Sequence, residues 1–255
     1  MAHPVLFERL QVWVHPDRVT AGAAAAGEAA TAINAAISRQ GAARIVLACA
    51  PSQDEMLAAL AAATVDWSRV TVFHMDEYVG LAAGHAASFR CYLHTHFLSR
   101  VRPAAFHGIR GEVADTVAEG RRYAALLGEA PLDLVCLGIG ENGHLAFNDP
   151  PVADFTDPER VKMVELDEAC RRQQVNDGCF GSLADVPRRA LTLTIPTLLG
   201  ARRLIATVPG LRKAAAVHAA LRGPVSTACP ASALRTHAAA SLHLDPSAAS
   251  AAFPA

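Results

Sequence analysis

Charge of either sign is scarce. Asp, Glu, Lys and Arg make up 18% of the 255 residues, and 23 basic side chains stand against 24 acidic ones, a net charge of −1. A balance that dilute and even excludes a broad polyanion-binding surface, so neither nucleic acid nor an anionic membrane is an expected partner. Long apolar runs are missing too. The least polar stretch, residues 22–37, is mostly alanine and is interrupted by Glu28, Thr31 and Asn34, so no transmembrane span is expected. The N-terminus has no basic start followed by an apolar run and a cleavage site, and is not read as a signal peptide. Six cysteines (Cys49, Cys91, Cys136, Cys170, Cys179, Cys229) form no CxxC pair, and the expectation is free thiols in a reducing cytoplasm. There is no G-X-Y period, heptad array or internal repeat. What is present is a 52% apolar chain, enough to bury a core without staples.

Hydrophobic patterning gives alternating helices and strands. A first helix is expected from Pro16-Asp17 to a stop at Gly41, with Val19, Ala23, Ala26, Ala30, Ile33 and Ile37 on one face. Arg44–Cys49, Val70–Phe73, Leu132–Leu137, Leu191–Ile195, Leu204–Val208 and Leu242–Leu244 read as strands. Between them, helices are expected from a Ser52/Glu55 capping box to Leu60, over Ser88–Phe97, over Glu112–Leu127 and over Lys213–Leu221. Residues 152–185 are polar and irregular apart from a short helix around Glu168–Gln174, and are a candidate lid within one domain covering residues 1–255. The C-terminal alanine-serine tail, SAASAAFPA, is expected to fray. The alternation predicts an α/β fold: a doubly wound, mostly parallel sheet with helices on both faces, in the Rossmann-like manner.

In such sheets ligands bind beyond the carboxyl ends of the strands. Two polar clusters fall there: Asp76-Glu77-Tyr78 and Glu141-Asn142-Gly143-His144. Gly138 to Gly143 also fits GxGxxG, but Pro150 and Pro151 leave barely two turns for the helix a dinucleotide would need, so a tight turn aiming Asn142 and His144 into a pocket is preferred. An imidazole titrates near neutrality and can both take and give a proton, which makes His144 the acid-base candidate, with Asn142 and Asp149 as groups that could fix its tautomer. Of the adjacent carboxylates Asp76 and Glu77, only one can face the pocket from an extended chain. Lys213 at a helix start opposes the helix dipole unless an anion binds there. Ser52 at another helix start, with Arg171 and Arg172 on the polar segment, could serve the same anion. His94-Thr95-His96 has no third ligand at metal spacing, and no metal is expected.

Several ordered segments carry a resemblance: FHMDEYVGL (73–81) with HAASF (85–89), GIGENGHLAFNDP (138–150), VPRRALTLTIPTLL (186–199), VPGLRKA (208–214) and SALRTH (232–237). Together they resemble the glucosamine-6-phosphate deaminase (isomerase) family over nearly the whole chain. The resemblance implies a doubly wound α/β fold, no metal or organic cofactor, and conversion of a 2-amino-2-deoxyhexose 6-phosphate and water into a ketohexose 6-phosphate and ammonia. It implies Asp76 as the base that moves a proton between C2 and C1, and His144 as the acid-base that opens the pyranose. Asp149 stands where a supporting glutamate is usual, and Lys213 matches a phosphate-binding lysine. Ala50-Pro51-Ser52 replaces a Gly/Ser/Thr phosphate loop, and Gly140 belongs to the substrate-binding turn. Asn142 stands where an aspartate is usual, and an amide supplies no charge to stabilise an imidazolium. Pro51 removes a backbone N–H from the phosphate loop. Arg160 and Lys162 resemble part of an allosteric sugar-phosphate site, but Val152 and Ala153 replace its serines, so that regulation is not expected.

A small-molecule sugar phosphate is thus the implied partner, with a homo-oligomer left open. Two rivals remain at this point: a 6-phosphogluconolactonase, disfavoured by Tyr78 and by LAFNDP (145–150), and a non-catalytic sugar-phosphate sensor, kept open by Asn142.

Overall fold

The computed structural model describes residues 3–253. Val5–Phe7 (β1) and Leu10–Val14 (β2) form an antiparallel hairpin at the start. Helix Arg18–Gln40 (α1), strand Ala43–Leu47 (β3) and helix Asp54–Ala61 (α2) follow. Strand Val70–His74 (β4) runs almost directly into Asp76–Tyr78 (β5). Helix Phe89–Leu93 (α3), prolonged by a π turn at His94–Leu98, leads to Ala105–His107 (β6), Thr116–Gly128 (α4) and Leu134–Leu137 (β7). Then come Val161–Glu165 (β8), Glu168–Asn176 (α5), Arg189–Leu193 (β9) and Ile195–Leu199 (α6). Arg203–Val208 (β10), Ala214–Arg222 (α7), Ala240–Leu244 (β11) and Pro246–Ala249 (α8) complete the chain.

Eight strands form the main sheet in the order β1-β2-β11-β10-β7-β3-β4-β6, parallel throughout except for the β1–β2 hairpin. Alternate residues of the central strands feed two separate cores. Ile45, Leu47, Leu134 and Cys136 pack with α1 and α2 on one face. Val46, Val135, Leu137 and Ala206 pack with α7 and α8 on the other. The doubly wound α/β expectation therefore holds. From β3 the chain winds outward to β4 and β6, whereas from β7 it winds the opposite way to β10 and β11. The crevice beyond the ends of β3 and β7 is thus the point where the winding reverses, the usual place for a ligand in such a sheet.

Helix α1 starts where Asp17 accepts a hydrogen bond from the Thr20 amide, and stops at Gly41, whose φ of 83° only glycine adopts freely. Its buried stripe is Ala21, Ala25, Ala26, Ala29, Ala30, Ile33 and Ala36, so the expected face is rotated: Val19 is 63% exposed and Ala23 also faces solvent. Alanine occupies every side of this helix, so periodicity alone cannot phase it. The phase is set by Gly22, where a Cβ would come within 2.9 Å of the α2 backbone.

Four other expectations change. Ser52 and Glu55 do not form a capping box; Ser52 sits in a 3-10 turn, Pro51–Gln53, no side chain caps α2, and Glu55 pairs with Arg18 instead. Helix α4 begins at Thr116 rather than Glu112, because the Asp115 side chain caps the Ala118 amide. Strand β9 does not join the parallel sheet. It forms a small antiparallel sheet, β5-β9-β8, which also takes up part of the polar segment 152–185. The tail does not fray within the described residues: Pro246–Ala249 is helical, Ala252 is buried, and Phe253 packs edge-on against Phe7 at 5.7 Å.

Candidate active site

Four strand ends deliver side chains to one cleft. Beyond β3 come Cys49, Ser52 and Gln53; beyond β4, Asp76; beyond β7, Gly138, Gly140 and His144; and beyond β10, Lys213. Helix α5 closes the remaining side with Gln173 and Gln174.

The glycine-rich turn after β7 contains no helix, in keeping with the reading against a dinucleotide. Gly140 donates its N–H to the His144 carbonyl at 3.0 Å, and Gly143, at φ 85°, donates back to the Gly140 carbonyl at 3.0 Å. This folds the His144 ring over Gly140 so closely that a Cβ there would stand 2.3 Å from it. Gly140 therefore makes room for the imidazole.

Nδ1 of His144 lies 2.8 Å from Oδ1 of Asp149, which orients the ring. The contact is short but bent away from a straight N–H···O line. Asn142 makes no hydrogen bond to the ring. Its amide Nδ2 donates to Asp149 Oδ1 at 2.9 Å, and its Oδ1 accepts from the His144 backbone N–H at 3.1 Å. It ties the base of the histidine to the carboxylate that holds it. Burial would raise the Asp149 pKa, but contact with the His144 ring, its charge and the Asn142 amide outweigh this and hold it below the ordinary carboxylate range.

Asp76 reaches the cleft from β5, and the neighbouring Glu77 points the other way, as strand geometry demands. Burial pushes the Asp76 carboxyl well above its ordinary range, and the negative charges of Glu77 and Asp149 push in the same direction. Glu77 is fully buried and structural. It accepts from Ser88 Oγ at 2.7 Å, from Tyr78 N at 3.0 Å, and from Phe89 N and Arg90 N at 3.1 Å, which fixes the start of α3.

Strand β9 sets the spacing between Asp76 and His144. Asp76 pairs with Thr192, whose Oγ1 accepts from the Phe147 N–H at 3.1 Å. The Asn148 side-chain amide donates to the Leu193 carbonyl at 2.8 Å. The base-bearing strand and the histidine-bearing turn are thus bolted to the same two residues.

Lys213 is buried in the cleft wall. Desolvation lowers its pKa, partly offset by Asp177 and Glu141, so a bound anion would compensate a charge that burial now penalises. Ser52 Oγ accepts from Gln53 Nε2 at 3.1 Å, and the same Nε2 also lies 3.0 Å from the Thr207 carbonyl oxygen.

Arg171 and Arg172 are corrected. Arg171 turns away to the carbonyls of Leu183 and Val186, and Arg172 lies exposed against Glu168. On α5 the inward positions are Cys170, Gln173 and Gln174, and the helical period puts 171 and 172 on the outer side. Gln53 and Gln173 escaped sequence reasoning because a glutamine carries no charge pattern. Gln173 accepts from the Glu141 N–H at 2.8 Å, and Gln174 accepts from the Tyr78 hydroxyl at 2.8 Å.

Among the described residues, one group of three has donors spaced for a metal ion: His144, Asp149 and Cys170. No described helix is long and apolar enough to cross a membrane.

Residues 16–243 match the model of the family described as glucosamine-6-phosphate isomerases/6-phosphogluconolactonase. The chain belongs to that family. Within it, a glucosamine-6-phosphate deaminase from Pseudarthrobacter chlorophenolicus is 39% identical over 200 residues, 77% of this chain and 75% of the relative. One from Listeria monocytogenes is 33% identical over 204 residues, 80% of this chain and 85% of the relative. A solved monomeric glucosamine-6-phosphate deaminase superposes with a TM-score of 0.86 at 30% identity, over 94% of this chain and 99% of its own. A 6-phosphogluconolactonase from Shewanella baltica reaches a TM-score of 0.77 at 19% identity over the same shares, which speaks to the fold alone.

Proposed function

We propose that this family member is an aldosamine 6-phosphate deaminase that converts glucosamine 6-phosphate and water into a ketohexose 6-phosphate and ammonia. The observation that carries the reading is the pairing, in one cleft, of an imidazole held by a buried carboxylate with a second carboxylate whose pKa is raised by burial. Lys213 and Ser52 line the same cleft and suit the phosphate. Contacts to a phosphate remote from the reacting carbons supply binding energy and orientation.

In this reading His144 takes the anomeric hydroxyl proton and returns one to the ring oxygen, which opens the pyranose. Asp76, as carboxylate, removes the C2 proton to give an enolamine and delivers a proton to C1. The resulting imine at C2 adds water, and ammonia leaves. Both steps need groups that exchange protons near neutrality, and burial brings the Asp76 carboxyl toward that range. The substrate is a small molecule, and the reducing cytoplasm suits six free thiols.

The test is ammonia release from purified protein with glucosamine 6-phosphate and galactosamine 6-phosphate side by side, with ketose phosphate measured in parallel. Equal ammonia and ketose from glucosamine 6-phosphate supports the reading. Faster turnover of the galactosamine ester changes the sugar, and hydrolysis of 6-phosphogluconolactone with no ammonia from either ester overturns the reaction.

A further inference from the structure

Behind the His144–Asp149 pair stands a third donor. Cys170, 1% exposed, lies in the first turn of α5, where the Asp167 side chain accepts from its N–H at 2.7 Å. Its Sγ, a ring nitrogen of His144 and a carboxylate oxygen of Asp149 all lie within 4.8 Å of one another. The three residues come from the turn after β7, the end of that loop and α5, and all three are buried. Oδ2 of Asp149 has no nitrogen or oxygen donor, only the weak Cys170 thiol beside its carboxylate, and Nδ1 of His144 does not point straight at Oδ1. A fully buried carboxylate oxygen so poorly paired is costly, and a cation would relieve it.

The donor spacing suits such an ion. Zinc takes thiolate sulfur at ~2.3 Å and imidazole or carboxylate donors at ~2.0–2.2 Å, so tetrahedral donors stand roughly 3.3–3.8 Å apart. Side-chain shifts of about 1 Å would bring these three into that range. Imidazole, carboxylate and thiolate together favour a borderline or soft ion over magnesium or calcium, which prefer oxygen alone.

We propose that His144, Asp149 and Cys170 form a binding site for a soft divalent cation, zinc or cadmium, and that the bound ion switches off the imidazole. The ion bonds to Nδ1, to a carboxylate oxygen and to Sγ. Cys170 releases its thiol proton to solvent, and the neutral ring carries its one proton on Nε2. Nothing is oxidised or reduced. With Nε2 protonated and Nδ1 occupied, the ring has no lone pair left to accept a proton. The ion is therefore an inhibitor of the chemistry and no part of it. The metal site stands on the donor geometry alone; only its inhibitory effect rests on the proposed deaminase activity.

The experiment separates the two. Cadmium titrated into the full-length protein should give an ultraviolet thiolate-to-metal charge-transfer band, and Cys170→Ala and Cys170→Ser should remove one equivalent of it. Zinc should inhibit ammonia release reversibly on adding a chelator, and in both variants the inhibition constant should rise by on the order of 100-fold. Inhibition is taken relative to each variant's own metal-free rate, so a changed basal activity does not confuse it. In the unaltered protein, zinc-edge X-ray absorption should find one sulfur beside nitrogen and oxygen neighbours. An all-oxygen shell, an unchanged cadmium band in the variants, or equal zinc inhibition with and without the thiol overturns the proposal. A protein that shows the band but releases no ammonia keeps the metal site and loses the deaminase reading.

Discussion

Replacing Gly140 with alanine should uncouple turnover from folding. The added Cβ would stand 2.3 Å from Cε1 and Nε2 of His144 and 2.4 Å from Cδ2, so the ring must withdraw by about 1 Å to regain ordinary contact. Gly140 is not among the residues of positive φ, so alanine fits its backbone without strain. The obstructed atoms are the far end of a side chain, which can swing. Overpacking of that kind typically costs about 1–3 kcal/mol, a shift of several degrees in Tm for a chain this size. Activity should suffer more. Nδ1 is tethered 2.8 Å from Asp149, so the ring cannot withdraw without breaking that contact or turning Nε2 off its line. A misplacement of about 1 Å costs on the order of 100-fold in rate, about 2.7 kcal/mol in barrier. Lys213 and Ser52 are untouched, so KM should stay within about threefold of its starting value. The assay is steady-state ammonia release with thermal unfolding in parallel. Gly138→Ala is the control: its Cβ would come closest to Gln53 Nε2, at 3.0 Å, with Ser52 Oγ and the Thr207 carbonyl oxygen at ordinary contact distances of 3.7 and 3.8 Å, and it should keep most of kcat. A folded Gly140→Ala protein with unreduced kcat would refute the placement of His144 at the reacting centre.

Three further outcomes follow from the cleft. Lys213→Met keeps the volume and removes a charge that burial penalises, so KM for the phosphate ester should rise roughly 10-fold or more while stability holds, and competitive inhibition by inorganic phosphate should disappear. Asn142→Ala leaves the His144 N–H and Asp149 Oδ1 each short of a partner, so kcat should fall by roughly 10-fold with KM little changed; equal losses in both would show a collapsed turn instead. The kcat/KM profile should lose activity on the acid side as Asp76 takes up its proton, with the midpoint above the ordinary carboxylate range, and a midpoint near about 4 would contradict the burial argument.

The site was legible where chemistry and strand ends coincide. GIGENGH and HMDEY follow apolar runs that could only be buried strands, and parallel sheets gather such ends at one edge. The link between the two was hidden. LTLTI alternates like a half-buried strand, but nothing local reveals that Thr192 and Leu193 pair outside the main sheet and clamp Asp76 to the histidine turn. Arg171 and Arg172 drew attention by charge, whereas the helical phase of α5 was set by the uncharged Cys170, Gln173 and Gln174. The hairpin of β1 and β2 went unread because three- and five-residue strands carry too few alternations to register.

The same burial that prepares Asp76 for catalysis should weaken the fold, at a cost that grows with pH. Desolvation comes first, and the charges of Glu77 and Asp149 add to it, all raising the folded-state pKa above the 3.8 of an unperturbed aspartate. A carboxyl whose pKa is higher folded than unfolded binds its proton more tightly in the native state. Its contribution to stability is thus fully present below pH 3.8 and is lost as pH rises through the folded-state value. An uncharged amide in its place would carry no such penalty. In Asp76→Asn the unfolding free energy should match that of the unaltered protein in acid and exceed it progressively as pH rises, levelling off once the native Asp76 has ionised. Urea unfolding of the two proteins at matched pH values tests this, since titrations elsewhere in the chain largely cancel in the difference. A gap that is constant with pH would mean the substitution acts by packing, and a gap of opposite sign would mean that Asp76 is ionised in the native state at lower pH than its burial dictates. A variant that is more stable and catalytically dead would place the cost of the base on the fold itself.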